Sequence, residues 1–310
     1  MSQGNLLSHE MSQESFDYTV EKVNARIIAQ GDKPYISVQQ QLDIVKQLSA
    51  FDLGRFLLQN QGLNGRWNHY VLSHPFKGRW TRRNNQGKPF TALENYILNS
   101  TPVVCATQER HEIFLRENQK MVKEGAKLAC IPCGMMGELL YLKIINHVES
   151  IKLIGIDLDP HALQDAQQLA QERGLDHFVE LHVGDAWNLD AFDEFDLLSC
   201  NGLITYEPNE QRVEQLYRLF YKSLKFGGKL VTSFLTTPPG VTEHCEWNMA
   251  VLKPYDLLLQ KIVMVDIIDA RFQCYSSTDL TRKQLLKAGF SDILFFYDRA
   301  RMFPTVVATK

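Results

Sequence analysis

Cysteine, proline and glycine crowd one short stretch, LACIPCGMMGELL (Leu128–Leu140). There an apolar run stops at Pro132 and resumes beyond Gly134 as an apolar-rich helical pattern. Three chemistries share that spacing. Cys130 and Cys133 form a C-x-x-C pair, which at a helix N-terminus can be a redox dithiol with a low-pKa thiolate. The pair is also half of a zinc site, with Glu243, His244 and Cys245 as a complement of the right residue types. In the third reading a strand ends at Ile131, Gly134 lets backbone approach a ligand, and helix N–H groups face it. That register points Cys130 into the core, and no second C-x-x-C follows, so the ligand-binding turn is favoured over redox or metal chemistry.

Two aspartates extend this reading. LIGIDLDPHAL places Asp157 at the end of a second strand, where a carboxylate can accept both hydroxyls of a ribose. Asp159 is placed to cap the next helix, and Pro160 to open it where a missing N–H costs little. LHVGDAW ends a third strand at Asp185, placed to meet the exocyclic amine of an adenine.

These residues need a frame that brings several strand ends to one edge. After Gly125, strand-like segments at 127–131, 152–157, 178–183, 195–200 and 229–235 alternate with helical patterns from about 135, at 160–173 and at 209–225. Such alternation predicts βαβ units and a parallel, doubly wound sheet covered on both faces. TDLTRKQLLKAGF predicts a helix closing at Gly289, and SDILFFYDRARMFPTVVATK predicts two closing strands joined by the charged loop Asp298–Arg301. Upstream, Val38–Asn60 reads as one helix striped by Leu42, Val45, Leu48, Phe51 and Leu53. Residues 61–90 read as irregular, with helices again at 91–98 and 107–123. Residues 1–15 are polar and are expected to form a disordered tail.

Taken in order, IPCGMMGEL, GIDLDP, GDAW, FDLLSCNGLITYEP, LKFGGKLVTSF and LLKAGFSDILFFY resemble the class I S-adenosylmethionine-dependent methyltransferases over roughly residues 106–310. The resemblance implies a Rossmann-like, seven-stranded, mostly parallel sheet with an antiparallel C-terminal hairpin. Residues 16–105 become a helical cap that recognises substrate. It implies S-adenosylmethionine as cofactor and S-adenosylhomocysteine as product, with Pro132, Cys133, Gly134, Asp157, Leu158, Asp185, Ala186, Asn201 and Gly202 at the cofactor. Asn201 and Gly202 border the methyl group, Tyr206 is the candidate catalytic residue, and Trp67, Tyr70 and Arg299 are candidate acceptor contacts. Gln108 and Arg110 are placed to reach the cofactor carboxylate. One motif departs from the family: Cys130 stands at the usual acidic position, Pro132 at the first glycine and Met136 at the third. Glu138 is then a candidate for the cofactor's amino group.

The reaction implied is methyl transfer to a small-molecule acceptor. A protein or RNA acceptor, a fold that binds partners without catalysis, and a nicotinamide oxidoreductase are the competing readings; the last is disfavoured because the loop lacks G-x-G-x-x-G. A net charge of −3 gives no global pull toward nucleic acid or an anionic membrane. The basic stretch KGRWTRRNNQGK (Lys77–Lys88) reads first as a solvated loop turning at NNQG. No apolar run reaches the roughly 18 residues of a membrane span, and IVMVDII is short and broken by Asp266. The N-terminus lacks a secretory pattern, and six scattered cysteines suit a reducing, cytoplasmic setting without metal.

Overall fold

The computed structural model describes residues 14–144, 148, 150–241, 245–270 and 274–310. It divides into two units, one of residues 14–108 with 249–270, the other of 109–248 with the C-terminal 274–310. The expected boundary at 105/106 therefore lies at 108/109, and 249–270 leaves the sheet domain for the helical unit. Burial is the reason. Ile262, Val263, Ile267 and Ile268 share one core with Ile27, Val45, Leu48 and Leu57.

The helical unit starts with α1 (Phe16–Gln30), capped by the Ser15 hydroxyl, which accepts the Tyr18 N–H. α2 (Val38–Leu48) opens on a capping box between Ser37 and Gln40. The single helix expected over Val38–Asn60 breaks before α3 (Asp52–Asn60), because Phe51 is extended. Gly54 makes that corner possible: a Cβ there would lie 2.2 Å from the Leu48 carbonyl oxygen. Residues 61–90, expected to be irregular, contain α4 (Gly65–Ser73) and α5 (Gly78–Thr81). The Asn64 side chain caps α4 and Val71 and Leu72 bury in it. The turn at NNQG does form, closed by a bridge between Arg83 and Pro89. α6 (Ala92–Asn99) and α7 (Pro102–Gln119) follow. In 249–270, a helix at Pro254–Gln260 continues through a wider-wound turn at Lys261–Ile267. Its buried Asp266 pairs with Lys33 at 2.7 Å and accepts the Tyr35 hydroxyl at 3.0 Å, which is why an acid is tolerated inside IVMVDII.

The second unit is built on β1 (Lys127–Cys130), β2 (Lys152–Asp157), β3 (Val179–Val183), β4 (Phe195–Cys200), β5 (Leu224–Ser233), β8 (Ser291–Phe296) and β9 (Thr305–Thr309). β6 (Leu235–Thr236) and β7 (Tyr275–Ser276) pair separately. Sheet order is β3-β2-β1-β4-β5-β9-β8, parallel except where β9 runs antiparallel to β5 and β8. The expected doubly wound sheet and closing hairpin are therefore present. Alternation sorts the strands' side chains between two cores. Leu128, Cys130, Leu153 and Leu197 face one way, against Leu163, Ala166 and Leu169 of α9 (Pro160–Glu172). Ala129, Ile131, Ile154, Leu198 and Cys200 face the other, against Val213, Leu216, Tyr217 and Phe220 of α10 (Glu210–Ser223). The helix Thr278–Ala288 ends in left-handed Gly289, as its sequence predicts. Between β1 and β2 the expected helix shrinks to one turn, α8 (Gly137–Leu140).

Candidate active site

Strand order reverses between β1 and β4, and sheets of this kind bind ligands beyond the strand ends at such a reversal. Asp157, at the end of β2, ties the three loops there together. Its Oδ2 accepts the Gly134 N–H at 2.8 Å and its Oδ1 the Asp159 N–H at 3.0 Å. Its backbone carbonyl accepts the Gly184 N–H at 3.0 Å. Burial pushes the carboxyl upward, and the Asp159 and Gly134 N–H groups hold it down. An ionised carboxylate offers about four lone-pair sites, so half-buried Asp157 keeps acceptor capacity for a diol.

The loop after β1 departs from alternating glycines without closing on itself. Gly134 (φ 48°) and Met136 (φ 54°) both take left-handed backbone. The Met136 side chain is fully buried, as is nearly all of Cys133. Both reach toward Gly155 of β2, where a Cβ would lie 2.6 Å from the Met136 sulfur and 3.1 Å from that of Cys133. These side chains thus turn into the core beneath the loop. Cys130 is fully buried and its thiol is pushed well above its ordinary value, first by burial and then by Glu138; Cys133 shifts the same way. Burial thus favours the protonated thiols, the opposite of the low-pKa thiolate a redox dithiol needs.

Glu138, on α8, is 6% exposed. Its Oε1 accepts the Asn201 amide at 2.6 Å and its Oε2 the Cys130 thiol at 3.5 Å. Each oxygen thus accepts one bond within the chain, which positions Asn201, and as at Asp157 lone pairs are left over for the amino-group role expected of Glu138. The Asn118 amide adds bonds to the Glu138 carbonyl (3.2 Å) and the Ser199 hydroxyl (3.1 Å). Asn118 lies outside every motif, and no local signal in the sequence marks it. Gly202 (φ 83°) follows Asn201, and its carbonyl accepts the Thr205 hydroxyl at 2.6 Å.

The remaining predicted residues divide clearly. Asp185 is half-buried and caps the turn Ala186–Asn188, accepting the Trp187 N–H at 3.0 Å. Pro132 and Leu158 are half-buried at the same strand ends, whereas Ala186 and Gly202 are buried. Tyr206 is 38% accessible yet crowded enough that burial pushes its phenol up, against the pull of Arg110. Gln108 is structural: its amide donates to the Val71 and Leu98 carbonyls. Trp67 and Tyr70 pack edge to face within the helical unit, and the Tyr70 hydroxyl donates to Glu94. Arg299 is 81% exposed in its side chain and forms a forked pair with Glu109, through its Nε at 2.6 Å and its backbone N–H at 2.8 Å. Glu243 and His244, weighed as metal ligands with Cys245, lie outside the described residues. Among the described residues no cluster of three or more His, Cys, Asp or Glu is placed to hold a metal, and no helix is long and apolar enough to cross a membrane.

A family model described as a methyltransferase domain matches residues 133–263. Among solved structures, one from Bordetella parapertussis, described as a possible exported protein, is 40% identical and aligns with TM-score 0.87 over 95% of each chain. Magnesium protoporphyrin IX methyltransferase from Synechocystis, solved with S-adenosylhomocysteine, is 16% identical over 79% of this chain and 98% of its own (TM-score 0.49). Phosphoethanolamine N-methyltransferase 2 from Haemonchus contortus, solved with S-adenosyl-L-methionine, is 14% identical over 70% and 55% (TM-score 0.47). Comparison with curated proteins gave no match. The matched domain, the reversal of strand order between β1 and β4, the closing antiparallel hairpin and an acid ending β2 converge: the chain belongs to the class I S-adenosylmethionine-dependent methyltransferase superfamily.

Proposed function

We propose that the chain transfers a methyl group from S-adenosylmethionine to a small-molecule acceptor, leaving S-adenosylhomocysteine. One observation carries the reading. Asp157 is locked by two backbone N–H groups at the strand-order reversal, with acceptor capacity left over. Its chemistry fits a ribose diol, Asp185 fits an exocyclic amine, and the Pro132–Gly134 backbone and Leu158 complete the donor site. The inward turn of Cys133 and Met136 leaves the loop's outer backbone available to it.

Bound S-adenosylmethionine supplies a methyl group on a sulfonium, open to in-line displacement by a nucleophile held close and aligned. The chain's part is placement. Glu138 fixes the Asn201 amide, and Asn201 with Gly202 borders the transferred group. Tyr206, its phenol raised by burial, stays protonated at neutral pH and serves the acceptor as a hydrogen-bond donor. An amine or an already anionic nucleophile needs no stronger base. A net charge of −3 supports a small molecule over nucleic acid. The free cysteines, three of them buried, support a reducing, cytoplasm-like compartment; fractionation of cells decides that point, since the Bordetella protein is described as a possible exported protein.

Titration calorimetry with S-adenosylhomocysteine tests the reading. Wild type is expected to bind, and Asp157→Ala to bind at least tenfold more weakly, about 1.4 kcal/mol. Full affinity in Asp157→Ala, or no binding by wild type, overturns it; the latter would favour the partner-binding alternative.

A further inference from the structure

We infer that Arg110 is a buried receptor for a carboxylate carried by the methyl acceptor, an inference that rests on the functional reading above. Arg110 stands on α7 with 6% of its surface exposed, and its Nε has no hydrogen-bond partner. Among the described residues no carboxylate comes within ion-pair distance of it. A charge taken out of water needs a counter-ion and filled hydrogen-bond positions. The carboxylates that attract it, Glu138 and Asp298, are committed elsewhere. Glu138 holds Asn201 and Cys130, while Asp298 accepts the Phe303 N–H at 2.7 Å and the Met302 N–H at 3.2 Å. Burial draws the guanidinium down to about 10, so it is still cationic at neutral pH.

Its orientation selects the ligand. The Phe303 ring covers one face at 4.5 Å, leaving the in-plane N–H groups for a partner. Both terminal nitrogens lie near Gly202: a Cβ there would be 3.5 Å from one and 3.9 Å from the other. The fork therefore opens on the Asn201–Gly202 loop, which in the proposed reaction borders the transferred methyl, and the missing side chain leaves room for an incoming group. A planar fork matches a carboxylate, bound through two parallel hydrogen bonds. The adenosine end of the donor is assigned to Asp157 and Asp185, on the other side of the strand-order reversal. The donor's methionine end carries a carboxylate of its own, so the assignment to the acceptor rests on the fork opening where the methyl leaves, and the test separates the two anions.

The test uses the full chain saturated with S-adenosylhomocysteine and titrated with benzoate, which suits the aromatic flank of Phe303 and Tyr206, and with neutral benzamide. Wild type should bind benzoate at least tenfold more tightly than benzamide. Arg110→Gln should lose that preference while its affinity for S-adenosylhomocysteine stays within about threefold. Arg110→Lys, which keeps the charge without the fork, should recover only part of it. Equal binding of benzoate and benzamide by wild type overturns the inference without any variant having to fold. A tenfold loss of S-adenosylhomocysteine affinity in Arg110→Gln, with an unchanged melting temperature, also overturns it, since the donor's own carboxylate would then be the ligand. Failure of wild type to bind S-adenosylhomocysteine refutes instead the functional reading beneath it.

Discussion

Gly155→Ala tests how the β1 loop is supported. A methyl at Gly155 would sit 2.6 Å from the Met136 sulfur, 2.7 Å from Leu181 Cδ2 and 3.1 Å from the Cys133 sulfur. Comfortable non-bonded contacts begin at about 3.5 Å, so those atoms must withdraw by roughly 0.9, 0.8 and 0.4 Å. Overpacking of this size costs about 1–3 kcal/mol. Met136 is fully buried but flexible, which places the expectation near the middle, about 2 kcal/mol. For a unit of this size that lowers the melting temperature by roughly 4–8 °C. Met136→Ala alone should cost about 2–5 kcal/mol through the space it leaves. The double variant places the new methyl in that space, so it should be more stable than the sum of the two losses by at least about 1 kcal/mol. Melts of the four proteins decide it. A Gly155→Ala protein within about 0.5 kcal/mol of wild type, or strict additivity in the double variant, refutes the packing argument.

Two shorter predictions concern charged groups. Asp196 accepts the Lys127 N–H at 3.0 Å and the Lys225 ammonium at 2.5 Å; burial opposes its ionisation, but these partners win and its carboxyl is held below the usual range. A depressed folded pKa gives stability that is fully present above the unfolded value of about 4 and lost as pH falls through the folded one. Asp196→Asn should therefore cost about 1–3 kcal/mol at neutral pH, and urea unfolding should show the gap from wild type narrowing at pH 3; a constant gap refutes the assignment. Arg299→Ala removes an exposed pair with Glu109. It should change stability by less than about 1 kcal/mol and leave acceptor KM unaltered, whereas a several-fold rise in KM would show Arg299 to be the acceptor contact that the sequence suggested.

Much of the sheet was legible because buried parallel strands leave continuous apolar runs bounded by turn residues. β2 and β4 lie at their expected positions, Lys152–Asp157 and Phe195–Cys200. The helical unit was less legible. The corner at Phe51 depends on Gly54 meeting the Leu48 carbonyl, a contact that exists only once both helices are in place. Nor does periodicity say which core IVMVDII joins. Asp266 reads as an interruption until Lys33, far away in the chain, is brought beside it.

The site shows the same division more sharply. The place of Asp157 at the end of β2 was legible because an apolar run closes on it, whereas its bond to the Gly134 N–H joins two separate loops and leaves no local signal. The first loop, by contrast, reads as eroded: a thiol where an acid is usual and a methionine where a glycine is usual. In three dimensions an acid and a glycine stand beside these two side chains. The acid stands on α8 as Glu138 and takes the Cys130 thiol as its partner. The glycine stands on β2 as Gly155, and its missing side chain is the space that the Met136 sulfur fills. Each pairing is silent to a linear motif. Each departure from the glycine pattern is thus matched by a partner within the chain beneath the loop.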